Sequence, residues 1–305
     1  MSRLKTLAAA FLLPLALLAG PAHAALRVFA CEPEWAALVQ ELGGDLVQAT
    51  SATTALQDPH QIQAKPSLIA AVRNADLVVC TGAELEIGWL PRLLQQSGNA
   101  KVQPGLPGNF AAADFVRKLE VPTMLDRSQG DVHASGNPHI QTDPRNVAVV
   151  ASALGTRLQQ LDAANAAQYA QRQANFSQRW KQAMTRWAAQ AAPLKGASVV
   201  SQHKAFAYLY DWLGLKEIAV LEPKPGIEPT PSHLQEVLAT LKAQPPRMVI
   251  YAAYQDARAS EWLSTNARIP AVKLPFTVGG SDAAKDLFGL FDDTVARLIA
   301  AAAAK

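Results

Sequence analysis

Cysteine, net charge and long apolar runs are all scarce in this chain, and each scarcity closes off a class of function. Two cysteines among 305 residues allow at most one disulfide. The 28 basic residues face 25 acidic ones, and two of the basic residues, Arg3 and Lys5, precede a leader-like segment. Without them the charges nearly cancel, leaving no basic footprint for nucleic acid. Beyond that segment no apolar run is long enough to span a bilayer. There is no H-E-x-x-H sequence and no nucleophile elbow, so two common hydrolase signatures are missing. No Gly/Ser-rich linker divides the chain.

The N-terminus reads as an export signal. Arg3 and Lys5 lead into the apolar run Leu7–Leu18, and Ala22-His23-Ala24 offers an A-x-A cleavage site. Cleavage after Ala24 leaves about 280 residues, enough for two lobes or one large domain. Neither cysteine lies in a lipobox setting at that site, so no lipid anchor is expected.

The remaining chain alternates strand and helix twice over. Leu26–Cys31 feeds a helix over Pro33–Leu42; Leu46–Thr53 leads through a loop to Pro66–Asn74; Ala75–Thr81 feeds Glu84–Gln96. The second half runs Ala197–Ser201, Ala205–Leu213, Ile218–Leu221, Ser232–Ala243, Met248–Ala252 and Ala259–Asn266. It ends with a strand near Val272–Leu274 and a helix over Asp282–Ala303. Such alternation predicts an α/β fold of mainly parallel sheets flanked by helices. Between the halves, Ala163–Ala191 carries Tyr169, Phe176, Trp180 and Trp187 on one helical stripe. The expected organisation is a signal peptide (1–24), an N-terminal lobe (25–162), a linking helix (163–192) and a C-terminal lobe (193–305). A stiff linker of this kind argues for small relative motion of the lobes rather than wide closure.

Three histidines stand at comparable points of this pattern. His60 follows Asp58-Pro59 after a strand. His139 follows Asn137-Pro138 just before the helix signal Asp143-Pro144, and His203 ends the strand Val199–Ser201. In α/β chains ligands gather at the carboxyl ends of strands, and neutral imidazole suits zinc. The set therefore points to a metal-binding cleft. Cys31 and Cys80 each end a strand. They can be a disulfide, two buried thiols or metal ligands, and export to an oxidising compartment favours the disulfide.

These residues also carry a family resemblance. Asp58-Pro59-His60, Lys65-Pro66-Ser67, Asn74-Ala75-Asp76-Leu77-Val78-Val79, Gly82-Ala83-Glu84-Leu85-Glu86, Asn137-Pro138-His139-Ile140 and Val200-Ser201-Gln202-His203-Lys204-Ala205-Phe206-Ala207-Tyr208 occur in order over nearly the whole mature chain. In this the chain resembles the zinc- and manganese-specific solute-binding proteins of bacterial ABC importers (cluster A-I). The resemblance implies two α/β lobes joined by a long helix and one metal held between them, with His60, His139 and His203 on ligand positions. It implies a periplasmic, monomeric, non-enzymatic receptor that captures Zn²⁺ as cargo. The cargo would pass to an inner-membrane permease with a cytoplasmic ATPase.

The chain departs from the family in its fourth ligand. Members often place an Asp after the last strand, where this chain has Lys273-Leu274-Pro275-Phe276. Some zinc members place a Glu before the first histidine, where this chain has Pro59. Asp58, Glu32, Glu34 and water are the candidates left. The loop Asp126–Gly136, with Asp131 and His133, is short beside the His-rich loops of other members. His133 is read as a solvated side chain ahead of a metal scavenger. His233 reads as an exposed residue of a first helical turn. Tyr208, Tyr210 and Trp212 line either the cleft or the core, and the Pro-rich run Leu221–Pro231 reads as a rigid surface connection. Glu84 and Glu86 fit either a permease-facing surface or a solvated helix start. Two rival functions remain: an exported hydrolase with a His₃-water zinc, and a Mn²⁺-binding or adhesin-type member of the same fold.

Overall fold

The computed structural model describes residues 24–123 and 133–304. The leader up to His23 and the loop residues Asp126 and Asp131 lie outside the described residues. Two parallel four-stranded sheets organise the chain. The first comprises β1 (Leu26–Ala30), β2 (Val47–Ser51), β3 (Leu77–Cys80) and β4 (Asn109–Ala111), in the order β2-β1-β3-β4. The second comprises β5 (Ser198–Ser201), β6 (Lys216–Val220), β7 (Met248–Ala252) and β8 (Ala271–Leu274), in the order β6-β5-β7-β8. The strand order reverses beside β1 in one sheet and beside β5 in the other, and crevices form at such reversals. Runs such as Leu77-Val78-Val79 and Val249-Ile250-Tyr251 are buried throughout, because helices cover both faces of a parallel sheet.

Helices α1 (Pro33–Gly43), α2 (Pro66–Asn74) and α3 (Leu90–Ser97) serve the first sheet; α6 (Ala207–Leu213), α7 (Pro231–Leu241) and α8 (Arg258–Ala267) serve the second. Between them run α4 (Pro144–Leu161) and the long α5 (Ala166–Ala191), followed at the end of the chain by α9 (Leu287–Ala303). Short 3₁₀ turns extend α5 at both ends. Its stripe of Tyr169, Phe176, Trp180 and Trp187 is fully buried, as the periodicity predicts. The Trp180 indole donates to Pro144 O at 2.8 Å and the Trp187 indole to Asp292 Oδ1 at 2.6 Å. Phe288 and Phe291 of α9 close over the same stripe. The long helix is thus clamped between α4, attached to the first sheet, and α9, attached to the second.

Several boundaries differ from the sequence expectation. The helix expected over Glu84–Gln96 starts only at Leu90. Gly82, Ala83 and Glu84 all have positive φ (76°, 48° and 68°), which a right-handed helix does not admit. Glu86 is therefore no solvated helix-start residue and no permease-facing one. It is buried, and its carboxylate accepts the N–H groups of Thr81 and Gly82. The terminal helix begins at Leu287 rather than Asp282, where Asp286 caps it through Gly289 N. The short strand β4 and the full length of α4 carry too little pattern to be read from sequence.

Cys31 and Cys80 form a disulfide, with Cα atoms 4.8 Å apart. It joins the ends of the neighbouring strands β1 and β3, the pairing that export favours. No helix among the described residues is long and apolar enough to cross a membrane.

Candidate metal centre

Each of the three histidines is fixed by a local device. At His60, the Asp58 carboxylate accepts the His60 N–H at 3.0 Å and bonds Nδ1 at 2.7 Å. The Trp89 indole pins the preceding turn by donating to Pro59 O. At His139, Asn137 Oδ1 accepts the histidine N–H, and Asn137 Nδ2 donates across to Lys204 O at 2.7 Å. One asparagine thereby ties the His139 turn to the other half of the chain. At His203, which follows β5, Nδ1 meets Glu222 Oε2 at 2.7 Å. Gly226 N–H holds that carboxylate in turn.

The three rings converge. Their centroids are 5.2 Å (His60–His139), 5.5 Å (His139–His203) and 5.7 Å (His60–His203) apart. One nitrogen from each lies within 4.8 Å of the others, close enough for small side-chain adjustments to bring all three onto a single cation at Zn–N distances of about 2.0–2.1 Å. His60 Nε2 and His139 Nδ1 are buried without a hydrogen-bond partner. Burial pushes the His139 imidazole well below its ordinary value, and the neighbouring His60, His203 and His133 add to this. His139 is accordingly neutral, the state in which imidazole ligates.

The surroundings show what each candidate group contacts. Asp58 is spent on His60 Nδ1. Burial works against its charge, but the His60 contacts prevail and hold the carboxyl below its usual range. Tyr254, whose phenol is raised by burial and then by the charges of Asp58 and Glu222, packs its ring on Phe276 with centroids 5.2 Å apart. Phe276, in the stretch after β8 that carries no carboxylate, lays its ring edgewise against His139 at 5.5 Å. His133, read as solvated, instead stacks on His60 with centroids 5.4 Å apart and planes 28° apart. Glu222 was missed because it opens a Pro-rich run, and Glu-Pro carries no ligand-like spacing. His233 lies in the first turn of α7 as expected, half-buried rather than exposed, 3.9 Å from Glu236. Tyr208 joins the halves by donating to Asn137 O and accepting Leu119 N–H. Tyr210 bonds Ser201, while Trp212 packs on Phe291.

Glu32 and Glu34 are not at the histidines' shared point but in a buried acidic network. Thr81 Oγ1 donates to Glu32, the Trp35 indole donates to Thr81 Oγ1, and Thr277 Oγ1 donates to Glu34. Burial raises Glu34 and Glu86 to about 7 each. Glu32 is also raised well above its ordinary value, by burial and then by the charges of Glu86 and Glu34. Between pH 4.5 and 7 the folded chain therefore binds more protons than the unfolded one. The stability linked to these carboxyls is fully present below pH 4.5 and is lost as pH rises through 7. Glu34→Gln removes one of the charges. It should raise the stability of the metal-free chain at pH 8 by on the order of 1–3 kcal/mol and leave it nearly unchanged at pH 4.5. Thermal unfolding in chelator checks this, and an equal effect at both pH values would exclude ionisation as the cause.

The family profile for the periplasmic zinc-uptake complex component A (ZnuA) matches residues 28–301. This chain belongs to that family. It is a substrate-binding protein of the metal ABC importers and not an enzyme, which removes the hydrolase reading. The manganese ABC transporter substrate-binding lipoprotein PsaA of Streptococcus pneumoniae is 22% identical over 256 residues, covering 83% of this chain and 80% of that protein. The iron ABC transporter substrate-binding lipoprotein MtsA of Streptococcus pyogenes is also 22% identical, with the same coverage. The zinc-binding lipoprotein AdcA of Streptococcus pneumoniae is 21% identical over 77% of this chain and 46% of its own length. A crystal structure of ZnuA superposes with a TM-score of 0.75 at 22% identity, over 92% of this chain and all of that one. A periplasmic metal-binding protein of Candidatus Liberibacter asiaticus reaches 0.73 at 15% identity, over 90% and 98%. These structural likenesses confirm the two-lobe α/β fold.

Proposed function

We propose that this family member is an exported, monomeric receptor that captures Zn²⁺ through His60, His139 and His203. It would release the ion to an inner-membrane permease driven by a cytoplasmic ATPase. The boundaries drawn at 24, 162 and 192 belong to the same reading. The observation that carries it is the convergence of three imidazoles from distant segments, two of them with buried, unpartnered ring nitrogens. The nearby carboxylates favour zinc over manganese in a further way. Asp58 and Glu222 are committed to imidazole Nδ1 atoms, and Phe276 brings an apolar ring to His139. The donor set is left rich in nitrogen, which suits zinc, whereas manganese sites usually add carboxylate oxygen. His133, stacked on His60, is the nearest further imidazole. Relatives named for manganese, iron and zinc all share the family, so the metal follows from this chain's own donors.

Titration of the metal-free chain should show Zn²⁺ binding with one ion per chain and far tighter than Mn²⁺. Equal or tighter manganese binding would overturn the choice of metal. The two carboxylates hold His60 and His203 in the tautomer that frees Nε2 and make the rings better donors. Asp58→Asn and Glu222→Gln should therefore each weaken zinc binding by about 10–100-fold. Affinities unchanged in both would leave these residues without the orienting role.

A further inference from the structure

We propose that Cys31, Cys80 and Glu86 form a second, redox-gated cation site, which takes Zn²⁺ or a similarly thiophilic divalent ion once the Cys31–Cys80 bond is reduced. The two sulfurs and a Glu86 carboxylate oxygen lie within 4.8 Å of one another, and all three residues are buried. No histidine of the cargo site takes part. Glu32, next to Cys31, is 3% exposed and keeps Oε1 without a hydrogen-bond partner. The Glu86 charge acts directly on its carboxyl, so a fourth donor, the second oxygen, stands beside the three.

The surrounding contacts hold the carboxylates where a cation would need them. Thr81 N–H and Gly82 N–H donate to Glu86 at 2.7 and 3.1 Å. Thr81 Oγ1 donates to Glu32 Oε2 at 3.1 Å and receives the Trp35 indole N–H at 2.7 Å. Buried carboxyl groups packed against an apolar disulfide, one with an orphaned oxygen, cost stability. A cation would supply the missing partner. At Zn–S distances of about 2.3 Å, tetrahedral geometry places two thiolates about 3.8 Å apart. Opening the bond to that separation needs side-chain rotation rather than movement of β1 against β3.

The chemistry balances. A dithiol reductant delivers two electrons and two protons to the S–S bond and leaves as its own disulfide, and two S–H groups form. Zinc capture then forms two Zn–S bonds and two Zn–O bonds, one to Glu86 and one to Glu32, with the two thiol protons and any proton on Glu86 passing to solvent. Glu32 keeps a proton and binds through its carbonyl oxygen, which limits the buried negative charge. Thiolate with carboxylate selects zinc-like ions over Mg²⁺ or Ca²⁺. While the bond is oxidised the sulfurs offer no thiolate, so the site is closed.

The test uses the chain carrying His60→Ala, His139→Ala and His203→Ala, refolded with or without a phosphine reductant and dialysed against Zn²⁺ or Co²⁺. Thiol counting fixes the redox state. The reduced chain should hold about one more ion than the oxidised chain, with a near-ultraviolet thiolate-to-cobalt absorption. Glu86→Gln should abolish that difference. Three results would each overturn the proposal: no extra ion once both thiols are free, extra cobalt without thiolate absorption, or extra metal that survives Glu86→Gln. A reduced chain that stays unfolded in excess zinc also counts against it, because a bound ion would stabilise the fold. Zinc retained by the oxidised triple variant speaks only against the histidine assignment, so the two readings fail separately.

Discussion

Replacing His139 with alanine should lower zinc affinity by more than any other single change in the chain. The loss should exceed the roughly 10–100-fold expected from the orienting carboxylates. His139 is almost completely buried, and its ring contacts both other imidazoles and Phe276. Its alanine variant removes a donor and opens a gap against an aromatic wall, which no neighbouring carboxylate is free to fill. His60→Ala and His203→Ala should follow closely. Each leaves behind a carboxylate, Asp58 or Glu222, that has lost the imidazole it was bonded to. Those freed carboxylates can approach an ion and recover part of the binding. The order of loss should thus be His139 first, then His60 and His203. All three variants should keep the fold, because the aromatic stripe of α5 and both sheets lie elsewhere. Calorimetric titration at pH 7.5 measures the affinities, and near-parental zinc binding in all three variants would remove the proposed site.

The fold was legible in the sequence wherever periodicity and punctuation agreed. The 7-4-7 spacing of Tyr169, Phe176, Trp180 and Trp187 specifies a helix and its buried face together. The strand–helix alternation specifies parallel sheets because a parallel crossover needs a covering helix. Legibility failed where backbone conformation overrides composition. Nothing in Gly82-Ala83-Glu84 announces two left-handed non-glycine residues in succession, so the segment was read as a helix start and Glu86 as a surface residue. At the candidate metal centre, the three histidines are marked by their position at strand and helix boundaries. Their partners are not. Glu222 reaches His203 across 19 positions, and Phe276 reaches His139 from the far end of the chain. His133 is judged by its polar surroundings in sequence, and only tertiary packing shows its ring against His60. Local pattern singles out candidate donors, whereas the groups that would orient and wall them are set by long-range packing with no fixed spacing.

Replacing both Cys31 and Cys80 with alanine should destabilise the chain by about 4 kcal/mol while leaving zinc affinity at the histidines within a few fold. The bond closes a loop spanning 49 positions, and in the chain-entropy account a loop of that size restricts the unfolded ensemble by about 4 kcal/mol. The native state loses little else. β1 and β3 remain paired through Val28–Leu77, Phe29–Val78 and Ala30–Val79, and Cys31 N–H still donates to Val79 O. The two smaller side chains leave a void beside Phe29, Val78 and Trp89, which belong to the same apolar cluster, and this adds to the cost. For a domain of this size the change corresponds to a fall in Tm of roughly 10 °C. Cargo binding should be spared, because none of the three histidines touches the disulfide through any bond that the substitution removes. Denaturant titration in chelator gives the stability change and calorimetry gives the affinity. A loss below about 1 kcal/mol would show that the unfolded chain is already compact around β1 and β3, so that closing the loop there costs little. A large loss of zinc affinity with stability intact would place the disulfide in the cargo site itself, contrary to the separation of the two clusters.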